Sequence, residues 1–126
     1  QSILNKAKNE EKNLSKLEDE VFGYNHADVG KALGNHWSFP QEFIVAIGHH
    51  HSPHEAVQGF SRITLTLYIA DYLCQEKGIG YCDAPFKDKP VFLECLEKLG
   101  LESYALDLIV SDMEQEILKM ENEGLF

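Results

Sequence analysis

Apolar residues recur three and four positions apart along nearly the whole chain, and no useful stretch alternates apolar with polar residues. This is the period of helices, not of strands. The fold class is therefore all-α, a helical bundle of about five to six helices. Ile3, Ala7, Leu14 and Leu17 form a narrow stripe on a charged segment spanning residues 3 to 20, which suits an exposed helix with one packed edge. Asn25, with Asp28 three residues on, predicts an N-cap and acidic first turn for a helix on which His26, Val29, Leu33 and Trp37 share a face. Gly30 and Gly34, four apart on that helix, let a neighbour approach closely. Pro40 and Glu42 suit the first turn of the next helix, which Ser52-Pro53 ends.

A loop from Pro53 to Gly59 leads into a long apolar helix around residues 60 to 76, stopped by Gly78-Ile79-Gly80. Tyr81 to Lys89 reads as a loop. Two packing helices follow, about residues 90 to 99 and 103 to 122, separated by Gly100. They carry Val91, Leu93 and Leu96, then Leu101, Tyr104, Leu108, Ile109 and Ile117. At 126 residues and 44% apolar, the chain suits one domain with a modest core. Its first residue is Gln1 and not Met, so a piece of a longer protein lacking N-terminal sequence is expected.

Net charge and cysteine usage narrow the partners. A net charge of -10, with acidic residues spread along the chain, repels phosphate backbones and argues against nucleic acid. A phosphorylated small molecule is less strongly excluded, because a local metal reverses the potential inside one pocket. No apolar run reaches the roughly 18 residues a membrane span needs, and the polar opening is no signal peptide. A soluble protein is expected. Cys74, Cys82 and Cys95 are odd in number and lack a C-x-x-C spacing, which argues against disulfides and thiolate zinc sites and for a reducing cytoplasm.

Four residues stand out against this apolar pattern. Phe43, Ile47 and His50 share one helix face, and Ile44, Ile47 and His51 its neighbour, so the histidine pair extends an inward stripe near a helix C-terminus. His26 points inward at a helix start. Asp71 lies in a segment, Ile63 to Leu73, apolar nearly all round, where a carboxylate needs a partner. Imidazole and carboxylate suit borderline divalent metals, so His26, His50, His51 and Asp71 are the candidate ligands of Mn, Fe, Co, Ni or Zn, with Mg a further candidate. Adjacent histidines diverge by about 100 degrees on a helix, so they suit two neighbouring ions, or one ion and a substrate phosphate.

The plainer alternative stands beside this. His50 and His51 could cap carbonyls at their helix end, and Asp71 could pair with Arg62 or a lysine. His36, His49 and His54 read as core or interface histidines bonded to backbone, and Trp37 and Tyr68 as core aromatics.

Glu18 to Gly23, His26-Ala27-Asp28-Val29-Gly30, Leu33, Trp37-Ser38-Phe39-Pro40, Ile47, His50-His51 and Ile69-Ala70-Asp71 together resemble the HDOD domains, relatives of the HD and HD-GYP metal-dependent phosphohydrolases. The resemblance covers about residues 18 to 74, leaving 1 to 17 as a charged N-terminal helix and 75 to 126 as packing helices. It implies that His26 corresponds to the histidine following the HD dipeptide in the binuclear enzymes. It likewise implies that His50 and His51 are their His-His pair and Asp71 the aspartate closing the site. Glu18 matches a glutamate frequent in HDOD domains, without an implied role. The chain has no His-Asp dipeptide and no Gly-Tyr-Pro motif, so cyclic-dinucleotide hydrolysis is not supported.

The resemblance implies a regulatory domain of a bacterial signal-transduction protein, non-catalytic, binding a divalent metal and docking a protein partner or a second copy of itself. The alternative is a metal-dependent phosphohydrolase whose remaining ligands come from missing N-terminal sequence or another chain. A third reading is a structural module whose histidines satisfy one another.

Overall fold

The computed structural model describes residues 2–10, 13–56, 59, 61–79 and 88–125. All regular structure among them is helical: α1 (Ile3–Glu10), α2 (Leu14–Phe22), α3 (His26–His36), α4 (Gln41–His49), a 3₁₀ turn (Pro53–Glu55), α5 (Ser61–Lys77), α6 (Lys89–Leu99) and α7 (Ser103–Asn122). The all-α class is as expected. There is one helix more than the sequence suggested, because the 3-to-20 segment is two helices. Asn13 starts the second, its side chain accepting the Ser15 N–H at 2.9 Å. Residues 57, 58, 60 and 80–87 lie outside the described set, and with them most of the expected Tyr81–Lys89 loop, the Gly80 stop and Cys82.

The turns that build the site follow from local chemistry. Gly23 ends α2 with φ +78° and donates its N–H to the Asp19 carbonyl, a left-handed position that suits glycine. Asn25 then closes a full capping box with Asp28, its side chain accepting from the backbone at Ala27 and Asp28. α4 stops at His49, and Ser52 returns its N–H to the His49 carbonyl at 2.9 Å before the buried Pro53.

Packing runs in chain order, α3 on α4, α4 on α5 and α5 on α6, with α1 on α2 and α2 touching α3. Gly30 and Gly34 do what the sequence suggested. A Cβ at Gly30 would sit 2.6 Å from Cγ2 of Ile47, and one at Gly34 3.2 Å from Cγ1 of Ile44. The main core joins Leu65, Ile69, Tyr72 and Leu73 of α5 to Phe92, Cys95 and Leu96 of α6. Leu106 and Val110 of α7 pack against its edge, yet no α7 residue is buried. Lys77 ties α5 to Glu114 of α7 at 2.9 Å. No described helix is long and apolar enough to cross a membrane.

One expected inward face is open. Val29, Leu33 and Trp37 are exposed, Trp37 by 60%, so Trp37 is no core aromatic. The adjacent side of α3, marked by Ala27 and Gly34, is the side that packs. His36 and His54 are likewise exposed and not core histidines, His54 lying 3.7 Å from Glu94. His49 is half-buried, but its Nδ1 has no hydrogen-bond partner among the described residues.

Candidate metal centre

Three separate pieces of backbone bring the histidines together. The Asn25 cap makes His26 the first residue of α3, and the α2–α3 turn places Glu18 beneath it. The end of α4 delivers His50 and His51. A ring nitrogen from each of His26, His50 and His51 lies within 4.8 Å of the others, a set that could hold a metal ion. The rings lie close, with centroids 3.9 Å apart for the tilted pair His50 and His51 and 4.7 Å for His26 and His51, which meet edge to face.

Asp71 is not in that set. It reaches the site from α5, with Oδ2 3.9 Å from His51 Nδ1 and accepting the Gln75 side-chain amide at 2.8 Å. Neither Arg62 nor a lysine meets it in a salt bridge among the described residues. Its side chain is 36% exposed, so the expectation of a carboxylate deep in an apolar helix is corrected: this face of α5 borders an open cavity. Leu14, Glu18, His26, His50, His51, Asp71 and Gln75 line that cavity, of about 290 Å³. His26 is also more open than its apolar neighbours suggested, with 40% of its side chain exposed, because nothing described covers the α3 face beside it.

The hydrogen bonds fix two of the three tautomers. A carboxylate only accepts, so the 2.6 Å contact from Glu18 Oε2 to His26 Nδ1 puts the hydrogen on Nδ1. A carbonyl also only accepts, so His50 Nδ1, 2.6 Å from the Ile47 oxygen, carries its hydrogen too. In their neutral forms both rings therefore present a bare Nε2. His51 is held neutral, since burial, then the neighbouring His50 and His26, push its pKa down to about 3.

His51 Nε2 stands 2.7 Å from His26 Nε2. With the His51 hydrogen on Nε2, its bare Nδ1 faces the Asp71 carboxylate; with the hydrogen on Nδ1, two bare nitrogens face each other. Neutral rings satisfy the 2.7 Å contact with the hydrogen on His51 Nε2, which leaves a bare Nδ1 3.9 Å from the Asp71 carboxylate. The 2.7 Å separation is that of a hydrogen bond, so an ion bound by both Nε2 atoms would need the two rings to part, with the His51 hydrogen then on Nδ1, towards Asp71. Glu18 and Asp71 add negative charge on either side, and the C-terminal end of α4 adds its partial negative charge. Imidazole donors, committed Nδ1 atoms and flanking carboxylates are the donor set borderline divalent metals take.

The sequence pointed to His26, His50, His51 and Asp71. The structure brings the three histidines together, leaves Asp71 at the margin, and adds Glu18, whose eight-residue spacing from His26 across Gly23 was the signal available. No curated protein and no solved structure matches this chain. The HDOD domain family model matches residues 1–53, a stretch that holds Glu18, His26, His50 and His51 and stops before Asp71. Across those residues the chain is similar to the HDOD domains, which belong to the HD-like phosphohydrolase superfamily.

Proposed function

We propose that this chain is a non-catalytic regulatory module of a bacterial cytoplasmic signalling protein, which holds one divalent metal and docks a protein partner or a second copy of itself. The observation that carries it is the convergence of His26, His50 and His51 ring nitrogens within 4.8 Å. Nitrogen donors favour Mn, Fe, Co, Ni or Zn over Mg, which prefers oxygen. When bound, such an ion supplies Lewis acidity and ties the start of α3 to the end of α4.

The docking half of the proposal rests on the neighbouring surface. Glu18 and His26 also border a second, apolar cavity lined by Phe22, Tyr24, Val29 and Leu33. An apolar face touching the metal site suits a module whose occupancy is read by a partner. A phosphorylated small molecule is the other ligand class that fits, because a dication reverses the sign of the acidic cavity.

Elemental analysis of the purified chain after dialysis against Zn²⁺ or Mn²⁺ tests the metal half. Close to one ion per chain, lost in His26→Ala and His51→Ala, supports it. A metal-free chain removes it and leaves a cluster of histidines held by their own hydrogen bonds. Turnover of simple phosphoesters by the loaded chain would overturn the non-catalytic assignment in favour of a phosphohydrolase.

A further inference from the structure

We infer that Glu18 and Asp71 are positioning residues and not ligands, each standing behind one imidazole of a three-histidine centre. The inference rests on the metal reading above and says how that site is built. It departs from the sequence expectation, in which Asp71 was itself a ligand.

The geometry separates the two ring nitrogens of each histidine. On His26, Nδ1 is taken by Glu18 at 2.6 Å, and Nε2 faces His51 at 2.7 Å. On His51, Nε2 faces His26 and Nδ1 faces Asp71, with 3.9 Å to Oδ2. An ion held by these Nε2 atoms, which would have to part from their 2.7 Å hydrogen-bond separation, would meet the side of each ring away from its carboxylate. On His50 the Ile47 carbonyl, 2.6 Å from Nδ1, plays the same part. Each Nδ1 thus has an oxygen on its own side, of two chemical kinds: a carboxylate in contact at His26 and one 3.9 Å away at His51, and a main-chain oxygen at His50.

The roles differ in strength. Glu18 is already in contact and also accepts the His26 backbone N–H at 2.9 Å, so it sets the ring's position before any ion arrives. Asp71 is held off His51 by about one bond length and is anchored by the Gln75 amide at 2.8 Å. It can close on Nδ1 once the hydrogen of His51 moves there, the tautomer that an ion at Nε2 requires.

The test is titration of the metal-free chain with Co²⁺, followed by visible absorption, and with Zn²⁺, followed by calorimetry. The wild type is compared with Glu18→Ala, Glu18→Gln, Asp71→Ala, Asp71→Asn and His26→Ala. The expected result is one ion per chain in every variant except His26→Ala, with affinity about 10- to 100-fold weaker in the two alanine variants. Gln and Asn, which keep an acceptor oxygen, recover most of that loss, and the Co²⁺ spectrum keeps the wild-type band positions throughout. Loss of the ion in Asp71→Ala, or a shifted spectrum in Asp71→Asn, overturns the inference by making Asp71 a ligand. A wild type that takes up neither ion overturns the metal reading itself, a different result from either.

Discussion

One oxygen of Glu18 holds His26 twice, accepting its backbone N–H at 2.9 Å and lying 2.6 Å from ring Nδ1. The carboxylate therefore serves the start of α3 and the orientation of the ring together. Because Glu18 is only 16% exposed in its side chain, both contacts are partly shielded from water.

Glu18→Ala should lower stability even with metal removed. Losing a charged acceptor at a helix N-terminus costs about 1 to 2 kcal/mol. Glu18→Gln should cost less, since its amide oxygen still accepts. Urea unfolding in the presence of a chelator measures this, and added Zn²⁺ should widen the gap between wild type and Glu18→Ala, because an ion stabilises the chain that binds it more tightly. Equal midpoints for all three chains would show that the double contact does not hold α3.

Gly30→Ala should destabilise the chain despite alanine's better helix propensity. The new Cβ meets Ile47 Cγ2 at 2.6 Å, and a β-branched side chain at a packed helix crossing has little freedom to turn away. Overpacking of about 1 to 3 kcal/mol outweighs a propensity gain of about 1 kcal/mol. Gly48→Ala is the control, because the atom it meets, Lys31 Cδ at 2.9 Å, belongs to a flexible chain that can swing aside. The double variant Gly30→Ala with Ile47→Ala should lose less than the sum of its parts in thermal or urea unfolding. Additive losses would place the cost elsewhere.

Helices were legible in this sequence wherever a cap residue spoke clearly. Asn25 with Asp28 marked the start of α3, and the glycine pair on α3 marked its contact with α4, both as found. Asn13 was missed as a second cap because the stripe from Ile3 to Leu17 keeps its helical spacing across the break. Periodicity identified the apolar side of α3 but not whether anything covers it. Val29, Leu33 and Trp37 repeat like core residues, and only the packing of Gly30 and Gly34 against α4 shows that the buried side is the adjacent one. The same limit applies to the site. Spacing can say that His26, His50 and His51 are unusual on their faces, but not which ring nitrogen points where. The separation of Asp71 from the histidine cluster is a matter of a few ångströms between α4 and α5, which no local pattern encodes.

The exposed α3 face should drive association without contributing to folding. Leu33→Lys and Trp37→Lys remove apolar surface that is 43% and 60% exposed, so their stability should stay within about 0.5 kcal/mol of wild type. Sedimentation across a concentration series should show the wild type self-associating, more so at high salt, where the repulsion of two chains of charge -10 is screened. The lysine variants should remain monomeric. Unchanged association in both would rule this face out as the contact.

Stability of the metal-free chain should fall as pH drops below about 6.5, and His51 should account for a measurable part of it. A histidine in the unfolded chain takes up a proton near pH 6.5, whereas the folded chain holds that of His51 down to about 3, through burial first and then His50 and His26. Between those values the unfolded state binds more protons, so acid favours unfolding. The His51 contribution is complete above 6.5 and is lost progressively towards 3. For one fully excluded proton the slope is about 1.4 kcal/mol per pH unit, and partial access of solvent to the ring reduces it. Carboxylates titrate in the same range, so the measurement is a difference: urea unfolding of wild type and His51→Gln at a series of pH values in chelator. The two stability curves should draw together as the pH falls from 6.5 to 4. Parallel curves would mean that folded His51 accepts its proton as readily as the unfolded chain does, and that it is not held neutral among its neighbours.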